Sequence, residues 1–135
     1  MNKAKEMENN PKEIRSPSNS RIELFESVVE QGNYTQALLM IQDSKNDLGM
    51  VLSSVDQGNS CYLTSVCMYH LGQYHEALSQ AKQAFDLFKH TSENKKVAQI
   101  QDIMGRINLS LGDLRNAESY ARDAITTYRR IGDHT

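Results

Sequence analysis

Proline is almost absent from this chain, and its scarcity sets the class of fold. The two prolines, Pro11 and Pro17, both lie near the amino terminus. Because proline is the residue that breaks helices, nothing from Ser18 to Thr135 forbids one. Strand signals are also weak, since no run of alternating Val, Ile or Thr lies between turn dipeptides. The composition therefore predicts an all-α protein.

Cysteine and excess charge are scarce as well. Cys61 and Cys67 are too few for a disulfide framework, and on one helix they would lie about 120° apart and would not bridge each other. The net charge of −2 gives no basic face for nucleic acid. No stretch approaches the roughly 18 apolar residues of a membrane span, and the amino terminus lacks the apolar run of a secretory signal. A reduced, cytoplasmic protein without nucleic-acid or membrane partners is expected.

The sequence also lacks the usual signatures of catalysis. It contains no Gly-rich phosphate loop, no Gly-x-Ser-x-Gly elbow and no His-Glu-x-x-His motif. Cys67 and His70 share a helical face, but two ligands without a third make a poor metal site. The other histidines, His75, His90 and His134, are interpreted as surface residues. We therefore expect no enzymatic activity, no cofactor and no metal.

An internal repeat is the main feature that the sequence does contain. A glycine, a bulky residue two positions later and an alanine five positions later recur at Gly32, Gly72 and Gly112, which are 40 residues apart. Glycine can end a helix in the left-handed conformation that a β-carbon penalises, and alanine lets two helices cross closely. Each copy predicts the turn of an antiparallel helical hairpin, so the chain should form three hairpins.

Apolar periodicity places two helices in each hairpin. The fifth helix is the clearest, because its apolar residues are spaced by three and four: Val97, Ile100, Met104, Ile107 and Leu111. The six helices are predicted at about residues 17–31, 34–52, 55–71, 74–90, 94–111 and 114–131. Ser54 and Gln57 are predicted to cap the third helix. The stretch 46–60 is open to interpretation as a long helix, a broken helix or a loop.

The domain organisation follows from these elements. Residues 1–16 are charged and are expected to be flexible, or to form an arm that folds onto the groove or onto a neighbouring molecule. Residues 17–135 are expected to form three repeats, at about 17–53, 54–92 and 93–131.

The repeated residues resemble tetratricopeptide repeats from Ser18 onward. That family has a small residue in the first helix of each hairpin before the glycine, the aromatic and the alanine. Ser65 and Gly105 fill the small position in the second and third repeats, whereas Phe25 departs from it in the first. The period of 40 is longer than the usual ~34. It is similar to the long-period variety of kinesin light chains, Pins-type adaptors and bacterial regulators.

This resemblance implies a right-handed superhelical solenoid whose concave groove binds a peptide or helix of a partner protein. Carried over by position, the groove residues of the second and third repeats are Tyr62, Val66, Tyr69, His70, Gln99, Asp102, Arg106 and Leu109. The first repeat would add Ile22, Glu26, Val29 and Glu30. The Lys and Asn of the clamp that binds chaperone carboxyl termini are missing from these positions, so that ligand is not expected.

Two pairs of groove residues each have two interpretations. Tyr62 and Tyr69 share a helical face, and they are either interface anchors or part of the core between repeats. Asp102 and Arg106 are either a surface ion pair or readers of a partner's charge.

The last helix is predicted to leave an apolar face uncovered. This face comprises Ala121, Ile125, Tyr128 and Ile131, and a solenoid normally covers such a face where its stacking stops. Either a homodimer partner covers it or the polypeptide continues past Thr135, and we favour continuation. By analogy with bacterial arrays, the alternative function is a sensory or oligomerisation module that controls an attached or partner signalling domain, such as a transcription regulator or diguanylate cyclase.

Overall fold

A computed structural model of the protein describes residues 17–46 and 53–132, with side chains described from residue 21 onward. These residues form six α-helices and contain no strand. The helices are α1 Pro17–Glu30, α2 Tyr34–Lys45, α3 Ser54–His70, α4 Tyr74–Phe88, α5 Asn94–Ser110 and α6 Leu114–Gly132. Consecutive helices pair as three hairpins, so the predicted all-α repeat fold is confirmed.

The three glycine turns have the same geometry. Gly32, Gly72 and Gly112 have φ angles of 82°, 82° and 83°, in the left-handed region. In each turn the amide after the glycine donates to the carbonyl five residues before it, at 2.8–3.2 Å. This pattern is a Schellman motif, which satisfies carbonyls at the end of a helix. The turns predicted from the repeat are therefore present.

Two predicted helix boundaries are wrong. The second helix, predicted to reach residue 52, ends at Lys45; residues 47–52 lie outside the described part of the chain. The cap of α3 is Ser53, whose side chain accepts a hydrogen bond from the Asp56 amide at 3.1 Å, and not Ser54. Ser53 takes this role because its backbone is extended while Ser54 is already helical. Residues 54–60 belong to α3, which excludes a loop there.

Small residues bring the helices of the second and third hairpins close together. Ser65 is fully buried, and its hydroxyl donates to the Ala77 carbonyl at 2.8 Å, which ties α3 to α4. In the third hairpin a β-carbon on Gly105 would lie 3.4 Å from backbone atoms of both Ala117 and Ala121. The small positions that the repeat pattern singled out therefore lie where two backbones approach each other.

A further close approach involves Gly58, within α3. A β-carbon there would lie 2.5 Å from a ring carbon of Phe88, which is 1% exposed at the end of α4. The ring thus occupies the space that a side chain at residue 58 would need. Phe88 lies in the largest core cluster, which joins α3 and α4 to α5.

Candidate functional site

The first helices of the three hairpins, α1, α3 and α5, enclose two adjoining cavities. The cavity between α3 and α5 has a volume of about 320 Å³, and the cavity that also reaches α1 has a volume of about 220 Å³. Tyr62, Val66 and Gln99 line both of them. We refer to the two cavities together as the groove.

The structure brings together most of the residues that the resemblance assigned to the groove. The larger cavity is lined by Tyr62, Val66, Tyr69, His70, Gln99, Asp102 and Arg106, together with Ile103 and Tyr128. Leu109 is 61% exposed and lines neither of these two cavities; it lines a third cavity of about 340 Å³ beside α6, which adjoins the larger one at Asp102 and Arg106. Ile103 and Tyr128 were missed because the assignment by position considered one helical face and did not include α6.

In the first repeat the assignment was wrong at one position. Glu26, Val29 and Glu30 line the smaller cavity. Ile22 is only 6% exposed and packs in the core with Phe25 and other residues. Phe25 replaces the small residue of the other repeats, and the side chains of both Ile22 and Phe25 are buried in the core.

Tyr62 lies at the centre of the groove. The ammonium of Lys96 lies 4.7 Å from the centroid of its ring, a cation–π distance. Burial raises the pKa of the Tyr62 hydroxyl to about 12, with smaller contributions from Tyr128 and Asp102. The hydroxyl is therefore protonated at neutral pH and can donate a hydrogen bond. Tyr62 also packs against two core clusters, as the core interpretation expects, and its role as an interface anchor stays a prediction.

A cluster of aromatic rings lies beside the groove near the turns, and its members Tyr69 and His70 line the larger cavity. Tyr34 and His70 stack with centroids 4.4 Å apart and planes within 6° of each other. Tyr69 contacts His70 edge-on at 5.2 Å and Tyr74 at 5.8 Å. The contact between Tyr34 and His70 joins the first two hairpins, and the partly buried Tyr69 packs against both His70 and Tyr74. The sequence did not predict these ring contacts, because periodicity along one helix does not show contacts between repeats.

Asp102 and Arg106 form the ion pair expected from their spacing. Arg106 Nε lies 3.3 Å from Asp102 Oδ2, and both side chains are substantially exposed. An exposed pair of this kind contributes little to stability, about 0.3–0.5 kcal/mol. Both residues also line the larger cavity.

A family model for the tetratricopeptide repeat matches residues 63–130, which is just over half of the chain.

The chain belongs to the tetratricopeptide repeat family.

The family predicted from the sequence is therefore confirmed. Tetratricopeptide repeats generally mediate protein–protein interaction, and they are typically not enzymes. No curated protein matches this chain. The match to the family does not distinguish the long-period variety, which stays a prediction.

The third tetratricopeptide hairpin exposes an apolar face. On α6, Ala121, Ile125 and Tyr128 are exposed and Ile131 is partly buried. The residue 40 positions before Tyr128 is Phe88, which is 1% exposed whereas Tyr128 is 43% exposed. Helix α5 packs on α4, where Phe88 lies, and within the described residues no helix packs on this face of α6. The face is therefore equivalent to a surface that the repeat itself buries.

The cysteines and histidines of this tetratricopeptide array do not assemble into a metal site in the described ranges. Cys67 is fully buried in the core beside Val28 and Ala37, whereas His70 is exposed and stacks on Tyr34. In residues 17–46 and 53–132, no three side chains of His, Cys, Asp or Glu lie close enough to hold a metal ion.

None of the helices described for this tetratricopeptide protein has the length and apolar character needed to cross a membrane.

Proposed function

We propose that this protein is a binding module that holds a peptide or helix of a partner protein in the groove formed by α1, α3 and α5. The observation that carries the proposal is the position of Tyr62 and Tyr69. Both rings are partly buried against the core, yet both line an open cavity. The family's general role in protein–protein interaction supports the same conclusion.

The groove has the composition of an interface. Tyrosine is enriched among the residues that carry binding energy, because it offers a large contact area with few rotatable bonds. Tyr69 is already held by His70 and Tyr74, so little conformational entropy remains to be lost on binding. Gln99 and the Asp102–Arg106 pair supply hydrogen-bonding groups beside the rings.

Peptides selected from a random library against the full chain would test this proposal. We expect Tyr62→Ala and Tyr69→Ala each to weaken a selected peptide about tenfold or more, because truncation of an interface anchor typically costs more than about 1.4 kcal/mol. Tyr120→Ala is a matched control, since Tyr120 is also a partly buried tyrosine but lies on α6 outside the groove. Circular dichroism melts of all three variants would separate lost binding from lost folding.

Unchanged affinity in both groove variants would overturn the assignment of the site. The purified chain can also be assayed for catalysis, and we expect a binding module and not an enzyme. Turnover of any substrate by the purified chain would contradict that expectation.

The exposed face of α6 favours a second candidate function. The chain would act as a sensory or oligomerisation module, with Ala121, Ile125, Tyr128 and Ile131 covered by a second copy or by a further part of the polypeptide. In this form it would control an attached or partner signalling domain. Both candidate functions are compatible with the cytoplasmic location expected from the sequence, and that location stays a prediction.

A further inference from the structure

The two sides of the groove carry charges of opposite sign. On the α1 side, Glu26 and Glu30 line the smaller cavity. On the α5 side, the same cavity is lined by Lys96. The floor between them is apolar, since it is formed by the Tyr62 ring with Leu63 and Val66.

These charges are not neutralised by ion pairs within the described part of the chain. The ion pairs there join Asp86 to Lys89, Asp102 to Arg106 and Glu118 to Arg122, and neither the two glutamates nor Lys96 takes part in one. Glu26 influences Lys96 electrostatically but lies beyond ion-pair distance. Carboxylates and an ammonium thus face each other across the apolar floor.

Among the described residues, the Lys96 ammonium contacts an aromatic ring and not a carboxylate. Its ammonium lies over the face of the Tyr62 ring, and burial lowers its pKa below the ordinary value of 10.5. A partly desolvated ammonium gains more from a carboxylate than a fully hydrated one does, because the local dielectric constant is lower. In contrast, Arg106 already has Asp102 as its partner at 3.3 Å, so that end of the groove has no preference for either charge.

Given the proposed function, we propose that the partner segment bound in this groove has an apolar anchor flanked by a basic residue facing α1 and an acidic residue facing α5. The anchor contacts Tyr62 and Val66. The basic side chain pairs with Glu26 and Glu30, and the carboxylate pairs with Lys96. The occupant is a segment of a separate protein, identified by this order of charges around an apolar centre.

Charge reversal with a compensating change in the peptide tests this proposal. A random peptide library displayed on phage is selected against the full chain, and one enriched peptide is labelled for fluorescence anisotropy. We expect the enriched peptides to share a basic residue and an acidic residue on opposite flanks of an apolar one. Glu26→Lys/Glu30→Lys should weaken the peptide about tenfold, because a like-charge contact replaces an attractive one. Lys96→Glu should do the same.

Rescue separates recognition from a general loss of structure. Changing the peptide's basic residue to Glu should restore most of the affinity for Glu26→Lys/Glu30→Lys and should weaken binding to the wild-type chain. Changing the peptide's acidic residue to Lys should restore affinity for Lys96→Glu and for no other form of the protein. Asp86→Lys/Lys89→Asp is the matched control, since this exposed pair lies at the carboxyl-terminal end of α4, outside the groove. We expect that variant to bind within about twofold of the wild type, as a distant exposed pair contributes little.

The outcomes separate this inference from the function on which it depends. If Tyr62→Ala abolishes binding and the charge reversals leave affinity unchanged, the groove binds a partner but the charge pattern is wrong. If none of these variants alters binding, or no peptide is enriched, the function and the pattern both fail. A synthetic peptide of residues 1–16 that competes for the groove would instead make the chain's own amino terminus the occupant, and would overturn the assignment to a separate protein.

Discussion

At the scale of single residues, Gly58 is the position where side-chain volume matters most. It lies inside a helix, where alanine is normally favoured over glycine by about 1 kcal/mol. Here, however, a β-carbon would lie 2.5 Å from the Phe88 ring, and that ring is buried in the core. The ring therefore has little room to move away.

We predict that Gly58→Ala lowers the free energy of unfolding by about 1–3 kcal/mol, the usual effect of overpacking a core. Urea denaturation measures this change. Phe88→Leu should be destabilising alone, but in the double variant the two effects should be less than additive, since the clash is removed. If Gly58→Ala proved more stable than the wild type, helix propensity would outweigh the contact and the packing described here would be wrong.

A second residue-scale prediction concerns pH and Cys67. Burial raises the pKa of this thiol from the ordinary 9.0 to about 11. Because the folded state holds the proton more tightly than the unfolded state, the stabilisation from the neutral thiol is present below about pH 9 and is lost as the pH rises toward 11.

Stability should therefore fall between pH 9 and 11 more steeply in the wild type than in Cys67→Ala. Urea midpoints measured across that range give the comparison, and equal slopes would contradict the prediction. Cys67 should also resist thiol reagents in the folded chain at pH 8, since the thiolate is the reactive form.

At the scale of helices, the amino terminus of α3 is defined by one hydrogen bond. The Ser53 hydroxyl accepts from the Asp56 amide, whereas the sequence pattern had favoured Ser54 with Gln57. Both serines satisfy the preference for a hydroxyl at a helix start, so the sequence alone does not separate them. The choice depends on which residue keeps an extended backbone when the helix docks on its neighbours.

We predict that Ser53→Ala lowers the free energy of unfolding by about 1 kcal/mol, the usual effect of losing a helix cap. Ser54→Ala is the matched control, one residue further on and also exposed, and it should change stability by less than about 0.5 kcal/mol. Thermal or urea denaturation of the two variants decides between them. The reverse order of effects would assign the cap to Ser54 after all.

At the scale of the whole molecule, the two ends of the described array differ in polarity. The outward positions of α1 include Glu23, Leu24 and Ser27, and the equivalent positions of α5, 80 residues later, are Ile103, Met104 and Ile107. The α5 residues are buried, while the α1 residues are exposed. The first hairpin therefore offers a mostly polar surface, whereas the third offers the apolar face of α6. Head-to-tail stacking of two copies would place these unlike surfaces together and is not expected.

If a second copy covers the α6 face, a variant that disrupts this contact should lower the mass of the sedimenting species. We predict that the chain sediments as a dimer at high concentration and that Ile125→Glu/Ile131→Glu makes it a monomer, because two buried carboxylates would be unpaired. Leu24→Glu provides the control, as Leu24 is 52% exposed at the opposite end. A wild-type chain that stays monomeric at high concentration would exclude self-association through α6, without affecting the groove.

The sequence by itself determined the repeat, the class of fold and the positions of the turns. Glycine at a positive φ angle and alanine at a helix crossing are requirements of the local backbone, so they recur at a countable period. The resemblance to tetratricopeptide repeats, carried over by position, assigned Tyr62 and Asp102 to the groove, and both residues line its larger cavity.

Only the tertiary structure decided how the repeats meet. Ile22 lies in the core, His70 stacks on Tyr34, and Lys96 covers the Tyr62 ring, each through contact with a residue on a different helix. Such contacts depend on the offset and crossing angle between helices, which side-chain packing sets and one-dimensional spacing does not encode. For the same reason, the charges on the two sides of the groove could be compared only after α1 and α5 had been placed opposite each other.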